Sequence, residues 1–520
     1  MPEYSYDITQ YDSHPYAQTH PSHLSMISNL FGVKAPGWKK ARILELGCAA
    51  GGNIIPLAIE APEAEIVGID LSKNQINEGI KHIEALGLKN IKLSHRSITD
   101  INQDDGLFDY IICHGVWSWV PEEVRQKIFG IIRNNMSEKG VAYVSYNTLP
   151  GWGMVLGVRE MMKYHTKHIT NHSEKAQQAR LLLKFIGDGL QNDNSPYANF
   201  LQSEINLLSR QGDHYLLHEY LEEDNNPVYF HNFVEQANQY NLSYLSDTNL
   251  AEMFAHNLPE QFSKEISKIN DIIRSNQYID FIRNKRFRCT LLTHSHNKID
   301  RNLSFDKIKK FSLSFSGACN DEIHENSFEE GTPLSFSNGV VTLTVKSSIS
   351  KRAMWLLKNQ KGKPMSFKAL CQKTTKELTG VNIKEVESHL IQDLNLLRLV
   401  LGGLIHLHEE DGNYTTQPTS RPKVCELAQY QSKFKNYVTN KRHELVAFNP
   451  IEHCFFQELD GTKTIKEIIP NLVNAVLKGK AQLVSEDGNP ITNKSELENR
   501  IPTLCEKMLD KFAGWALLTN

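Results

Sequence analysis

An apolar run that ends on an acid, breaks at a glycine turn and reopens as a helix constrains this chain more than any other feature. It occupies residues 43–53, ILELGCAAGGN: the run closes at Glu45, Gly47 and Gly51 punctuate the turn, and a helical pattern opens at Asn53. A second apolar run, EIVGID, ends on Asp70. Strand, Gly-rich turn, helix, strand and terminal acid make the first half of a nucleotide-binding α/β fold. Glycine lets the backbone approach a ligand with no Cβ in the way. A carboxylate at the end of the second strand can accept hydrogen bonds from two ribose hydroxyls.

Two cofactor classes use this layout. Dinucleotide sites need G-x-G-x-x-G, whose second glycine brings the pyrophosphate onto the helix N-terminus. That position holds Ala49, so the pattern fails. The alternative is E-x-G-x-x-x-G, carried by Glu45, Gly47 and Gly51. It suits a ligand without phosphate, namely the amino-acid end and ribose of S-adenosyl-L-methionine (AdoMet). A Gly-rich turn that merely packs a helix on a sheet would not require Asp70 in its place.

With 520 residues the chain exceeds one hydrophobic core, and two to four domains are expected. Its 40% apolar and 22% charged content is that of an ordinary globular protein. A net charge of −3 gives no overall attraction to nucleic acid or to an anionic membrane. Residues 1–12 carry no basic, apolar leader pattern, and no apolar stretch approaches the ~20 residues of a membrane-spanning helix. The eight cysteines include no C-x-x-C pair, so neither a zinc site nor a disulfide framework is expected, and a reducing cytoplasm is the simplest compartment.

The expected fold class is α/β: a Rossmann-like doubly wound parallel sheet with a helical insertion, an α+β middle domain and a winged-helix-like C-terminal region. Ser72 caps a helix that Gly87 stops; 90–97 and 107–114 read as strands three and four; Pro121 opens a helix; and VAYVSYN after Gly140 reads as strand five. Residues 1–152 form the cofactor-binding domain, with closing strands at about 226–250. Residues 153–225 are helical throughout and read as an insertion suited to dimerisation. Residues 251–345 form a middle region that includes RCTLLTH, 346–415 follow a winged-helix order, and 423–520 read as helical.

In open α/β sheets ligands bind at the carboxyl ends of the strands. After strand two Asp70 is followed by Leu71; after strand three Ser97 and Ile98 could hold an adenine. The loop after strand four is His114-Gly115-Val116-Trp117-Ser118-Trp119, and that after strand five runs from Tyr146 to Trp152. Trp117, Trp119, Tyr146 and Trp152 are therefore expected as an aromatic wall at the ligand edge, because such loops are a poor place for core aromatics. Tyr11 and Tyr16 precede strand one and could fold over the same edge. His294/His296 and His406/His408 lack a third ligand at metal-site spacing, and the basic patch at 283–288 reads as a solvated face.

ILELGCAAGGN, GIDLS, FDYIICHGVWSWVP and SYNTLPGW, preceded by Tyr11-x-x-x-Pro15-Tyr16, resemble the bacterial class I methyltransferases that carry a methyltransferase regulatory domain, in particular the rickettsial protein-lysine methyltransferases. The resemblance is dense over residues 4–155, looser to about 310 and architectural beyond. It implies AdoMet as cofactor, a homodimer, and a lysine-bearing protein substrate such as an outer-membrane or surface protein before export. The family motif carries Gly or Ser where this chain has Ala50.

On that expectation Glu45, Gly47, Gly51, Asp70, Leu71, Ser97, Ile98, His114, Tyr11 and Tyr16 hold AdoMet, and His114, Trp117, Tyr146 and Trp152 face the acceptor. A lysine nucleophile must first lose a proton, from a pKa of about 10.4 in water; His114 or Tyr146 could relay it, and no metal is needed. Methylation of RNA or of a small molecule, and a non-catalytic AdoMet-binding scaffold, stay open as alternatives.

Overall fold

The computed structural model describes residues 12–485 and 487–519, grouped in two compact units. The first holds residues 12–13, 35–54 and 61–298. Its centre is a seven-stranded sheet: β1 (Arg42–Leu46), β2 (Glu65–Asp70), β3 (Ile91–His95), β4 (Phe108–Cys113), β5 (Met136–Asn147), β6 (Leu242–Asp247) and β7 (Phe287–His294). The order is β3-β2-β1-β4-β5-β7-β6. β1 to β5 run parallel, and β7 lies antiparallel between β5 and β6. β1, β4 and β5 are buried along nearly their whole length, as parallel strands covered on both faces must be. The strand order reverses between β1 and β4, which makes their carboxyl ends the ligand crevice.

Local chemistry sets the elements. The Ser72 side chain accepts from Gln75 N–H and starts helix Lys73–Ala85; Gly87, at φ +64°, ends it. Helix Glu122–Asn135 follows Pro121 and feeds straight into β5, which therefore starts at Met136 rather than after Gly140. Helices Gly153–Thr166, His172–Gly189 and Pro196–Ser209 intervene between β5 and helix Phe230–Gln239. They close on their own core of Val155, Val158, Met162, Ala179, Leu183 and Leu201. One strand departs from the expected plan. FRCTLLTH, read from the sequence as part of the middle region, is β7 of the main sheet.

The second unit holds residues 14–34, 55–60 and 299–519. Strand Ser312–Phe315 pairs with Met365–Ser366 on one side and Ile405–His408 on the other. In chain order helix Ser348–Asn359 comes before Met365–Ser366, and helices Phe367–Lys376, Ile383–Gln392 and Leu396–Leu401 follow in succession before Ile405–His408. The C-terminal stretch is not purely helical. Lys423–Val424 pairs with Leu518–Thr519 and Tyr437–Thr439 with Leu445–Ala447, around a core that includes Phe455, Phe456, Leu472, Ile501 and Phe512. Strands of two or three residues carry too few alternating positions to announce themselves in a sequence.

Candidate functional site

The turn after β1 is held open by its backbone. Gly47 and Gly51 sit at φ +77° and +76°. A Cβ on Gly47 would lie 2.5 Å from Val116 Cγ2, so the turn packs against the loop after β4 with no room for a side chain. Gly47 N and Cys48 N both donate to Ile69 O, at 2.9 and 3.0 Å, which pins the turn to the end of β2. Gly52 N donates to Ser13 Oγ at 2.8 Å. Ala49 adopts φ +48°, a left-handed conformation that costs a non-glycine residue about 1 kcal/mol or more. That conformation aims Ala49 N at Asp70 Oδ2, 2.9 Å away.

Asp70 also accepts from Ser72 N at Oδ1, 2.8 Å. Two backbone amides thus orient one carboxylate at the strand end. Glu45 is buried at the base of the turn. Its Oε1 accepts from Asn53 Nδ2 at 2.7 Å, and its Oε2 is buried without a hydrogen-bond partner. Burial pushes the Glu45 carboxyl up to about 8; the Asn53 hydrogen bond works against this and the Asp70 charge adds to it. A buried carboxyl with one oxygen unsatisfied is a site for a cationic or hydrogen-donating ligand group. Leu71 is exposed beside Asp70. Ser97 and Ile98 begin a turn after β3, where Ser97 Oγ accepts from Thr99 N and Asp100 Oδ2 accepts from Ser97 N, at 3.1 and 3.2 Å. Ser13, Asn53 and Ala49 join this site unforeseen; Asn53 and Ala49 are neighbours of the turn glycines in the sequence, whereas nothing local marks Ser13.

The expected aromatic wall is not one wall. Trp117, with 0% exposure, packs edge-on against Tyr146, Phe129 and Phe233 at 5.6, 6.1 and 5.3 Å. Tyr146 is 1% exposed, stacks on Phe233 at 3.9 Å and bonds Thr290 Oγ1 at 3.0 Å. Both belong to the core beneath helices Glu122–Asn135 and Phe230–Gln239. Trp152 instead meets Trp119 and Tyr220, at 6.2 and 6.1 Å, in the core of the inserted helices. The reason is strand parity: Tyr146 points to the helix-packed face, whereas Tyr143 and Ser145 point to the other.

That other face carries His114. Its Nδ1 lies 2.8 Å from the Tyr143 hydroxyl and 3.3 Å from Ser145 Oγ. The Phe287 ring stands edge-on to the imidazole at 6.2 Å. The β5–β7 register sets Cys289 opposite Ser145 and Phe287 opposite Asn147. Tyr143, Ser145, Phe287 and Cys289 were not singled out in the sequence; alternation along β5 marks the first two, and nothing local marks the others.

Tyr11 lies outside the described residues. Tyr16 belongs to the second unit, where its carbonyl accepts from Thr19 N at 2.9 Å. Of the histidine pairs, His294 Nε2 lies 3.1 Å from Met136 O and His408 Nε2 lies 2.8 Å from Ser314 Oγ. Among the described residues no cluster of three or more His, Cys, Asp or Glu could hold a metal. The basic patch at 283–288 is neutralised by acids: Lys285 by Glu252 at 2.7 Å, Arg286 by Glu204 at 2.6 Å, and Arg288 by Asp247 and Asp280.

Three family models match the chain. "Methyltransferase domain" covers residues 38–209, "Predicted methyltransferase regulatory domain" 212–294, and "PKMT, C-terminal winged helix domain" 420–517. The regulatory match thus includes β6 and β7 of the main sheet. An uncharacterised protein of Rickettsia prowazekii (strain Madrid E), RP789, is 42% identical over 520 residues, 99% of this chain and 93% of that protein. A second from the same organism, RP028, is 45% identical over 233 residues, 45% of this chain and 93% of its own. PKMT2 from Rickettsia typhi superposes with a TM-score of 0.88, and 0.90 in its complex with AdoHcy, at 34% identity over 98% of this chain and 100% of that one.

Proposed function

The chain belongs to the AdoMet-dependent methyltransferase family that includes PKMT2 of Rickettsia typhi, and from that premise we propose that it methylates the ε-amines of lysines in protein. The end-to-end likeness to a PKMT, a name for protein-lysine methyltransferases, carries this reading. The net charge of −3 and the neutralised basic patch give nucleic acid no footing, which weighs against an RNA acceptor. The eight free cysteines suit a reducing compartment, and we place the enzyme in the cytoplasm, acting on a surface protein before its export.

In this reading Asp70 holds the ribose hydroxyls and Glu45, Gly47 and Gly51 the amino-acid end. Leu71, Ser97 and Ile98 flank the adenine. AdoMet supplies an electrophilic methyl group whose sulfur leaves neutral, so no acid is required on that side. The chain's own task is to align the amine and remove its proton. Tritium transfer from labelled AdoMet tests the assignment. Label is expected in acid-stable methyl-lysine of an unfolded lysine-rich protein. Label confined to RNA or to small molecules overturns it.

A further inference from the structure

A protein acceptor brings more than an amine to the sheet edge. It brings a main chain, whose carbonyls need donors. With AdoMet on the turn after β1 and on Asp70, the carboxyl ends of β4 and β5 are left to the acceptor. β5 lies two strands from β1, about 10 Å at the usual strand spacing. Residues 225–228 are laced along that end. Asn226 N donates to Ser118 O, in the loop after β4, at 2.8 Å. Val228 N donates to Asn147 O at 3.1 Å, and Leu149 N to Val228 O at 3.0 Å. Asn147 N in turn donates to Ser118 Oγ at 2.8 Å. Three chain segments are thus tied into one rim.

Asn147, the last residue of β5, is 3% exposed, and its Nδ2 donates to Asn225 Oδ1 at 3.1 Å. That bond fixes which way the Asn225 carboxamide faces. It leaves Asn225 Nδ2 buried with no hydrogen-bond partner. A buried N–H group in a native protein nearly always has a partner, and one without calls for an explanation. A donor needs an acceptor oxygen, and a lysine side chain has none. The peptide groups on either side of the lysine do. The run that leads to Asn225, Glu222-Glu223-Asp224, is acidic, with Glu223 exposed. Cations hold its backbone. Arg159, 2% exposed, donates from Nη2 to the carbonyls of Glu222 and Glu223, and Lys163 Nζ reaches Glu223 O at 3.2 Å. Arg159 Nη1 is a second buried donor without a partner beside the same run.

We propose that residues 222–226 bind the main chain of the protein acceptor beside its target lysine. Asn225 Nδ2 donates to a peptide carbonyl of the acceptor. Asn147 is the positioning residue that sets this carboxamide. Glu223 and Asp224 draw in the cationic, lysine-bearing segment. This rests on the lysine reading above and names the group that reading leaves unrecognised. The carbonyls of a helix or sheet are already bonded, so the segment bound here is extended and outside regular structure.

The test uses the full chain with tritiated AdoMet and an unfolded lysine-rich protein, and reads kcat and KM for that protein separately. Asn225→Ala removes the donor. Its KM is expected to rise about three- to tenfold, with kcat and the calorimetric AdoMet affinity within about twofold of the parent. Asn147→Ala lets the carboxamide turn and raises KM in the same sense by less. Glu223→Gln with Asp224→Asn raises KM at about 0.01 M salt, and the rise disappears near 1 M, where the screening length is about 3 Å. This charge variant serves if Asn225→Ala does not fold. A folded Asn225→Ala enzyme with the parent's KM overturns the proposal. So does a loss of AdoMet affinity that matches the rise in KM, and so does a charge variant whose KM is unmoved at low salt. Parent enzyme that labels RNA and no lysine overturns the lysine reading and this proposal together. Parent that labels lysine while Asn225→Ala keeps its KM overturns this proposal alone.

Discussion

Asp70 holds two loops at once, taking Ala49 N on one oxygen and Ser72 N on the other. Asp70→Ala therefore removes the ribose acceptor and releases both loops. AdoMet affinity is expected to fall by about 1–3 kcal/mol, read by calorimetry on a folded variant; an unchanged affinity contradicts the assignment. Glu45 makes a different prediction. Its folded value, about 8, stands above the ordinary 4.5. The ligand-free protein is thus most stable with Glu45 protonated, an advantage fully present below pH 4.5 and lost as pH rises through 8. A cationic ligand beside it favours the carboxylate, so binding expels a proton. AdoMet affinity should climb from about pH 6 to 8, by up to tenfold per unit, and Glu45→Gln should flatten the climb. These residues were legible in the sequence because a turn with positive φ writes itself in glycine. His114 was legible as a strand-end residue, but its partners Tyr143 and Ser145 were not. Knowing that Tyr146 and Tyr143 face opposite sides requires knowing where the pleat of β5 begins, and β5 begins at Met136 rather than after Gly140.

At the scale of elements, β7 is the piece the sequence hid. Its alternation reads as a strand, yet no local feature says which sheet it joins. What seats it is Arg288, fully buried. Nε and Nη2 each lie 2.8 Å from Asp280, Nη1 lies 2.5 Å from Asp247, and the guanidinium sits 3.8 Å over Phe230. Asp247 is at the end of β6 and Asp280 on helix Ile272–Arg283, so one side chain locks three elements in register. Thr290 extends the chain of bonds from Asp247 to the Tyr146 hydroxyl, 3.0 Å at each step. Arg288→Leu leaves two buried carboxylates without their cation. A loss of about 3–5 kcal/mol is expected from denaturant unfolding, and a loss below 1 kcal/mol would mean the two acids take up protons at little cost. Burial raises Asp280 despite its pairing, so the damage should be smaller at low pH, where both acids can neutralise.

For the molecule as a whole, the inserted helices leave large apolar side chains outside their own core. Tyr164 is 77% exposed and Phe185 76%, with Met154, Leu181 and Tyr197 also exposed. Scattered apolar side chains are ordinary on a surface, but five on three consecutive helices suit a partner copy. Light scattering at micromolar concentration is expected to give a dimer, and Tyr164→Asp with Phe185→Asp a monomer; a parent monomer contradicts this. The sheet order has another consequence, one of timing. β5 and β6 both find their neighbour in β7, and β7 is made last, after the whole helical insertion. While the chain grows on the ribosome, the long apolar edge of β5 stands unpaired until residue 294 has emerged. A nascent or truncated chain ending near residue 280 should be insoluble or chaperone-bound, and one reaching the end of β7 should be able to close the sheet.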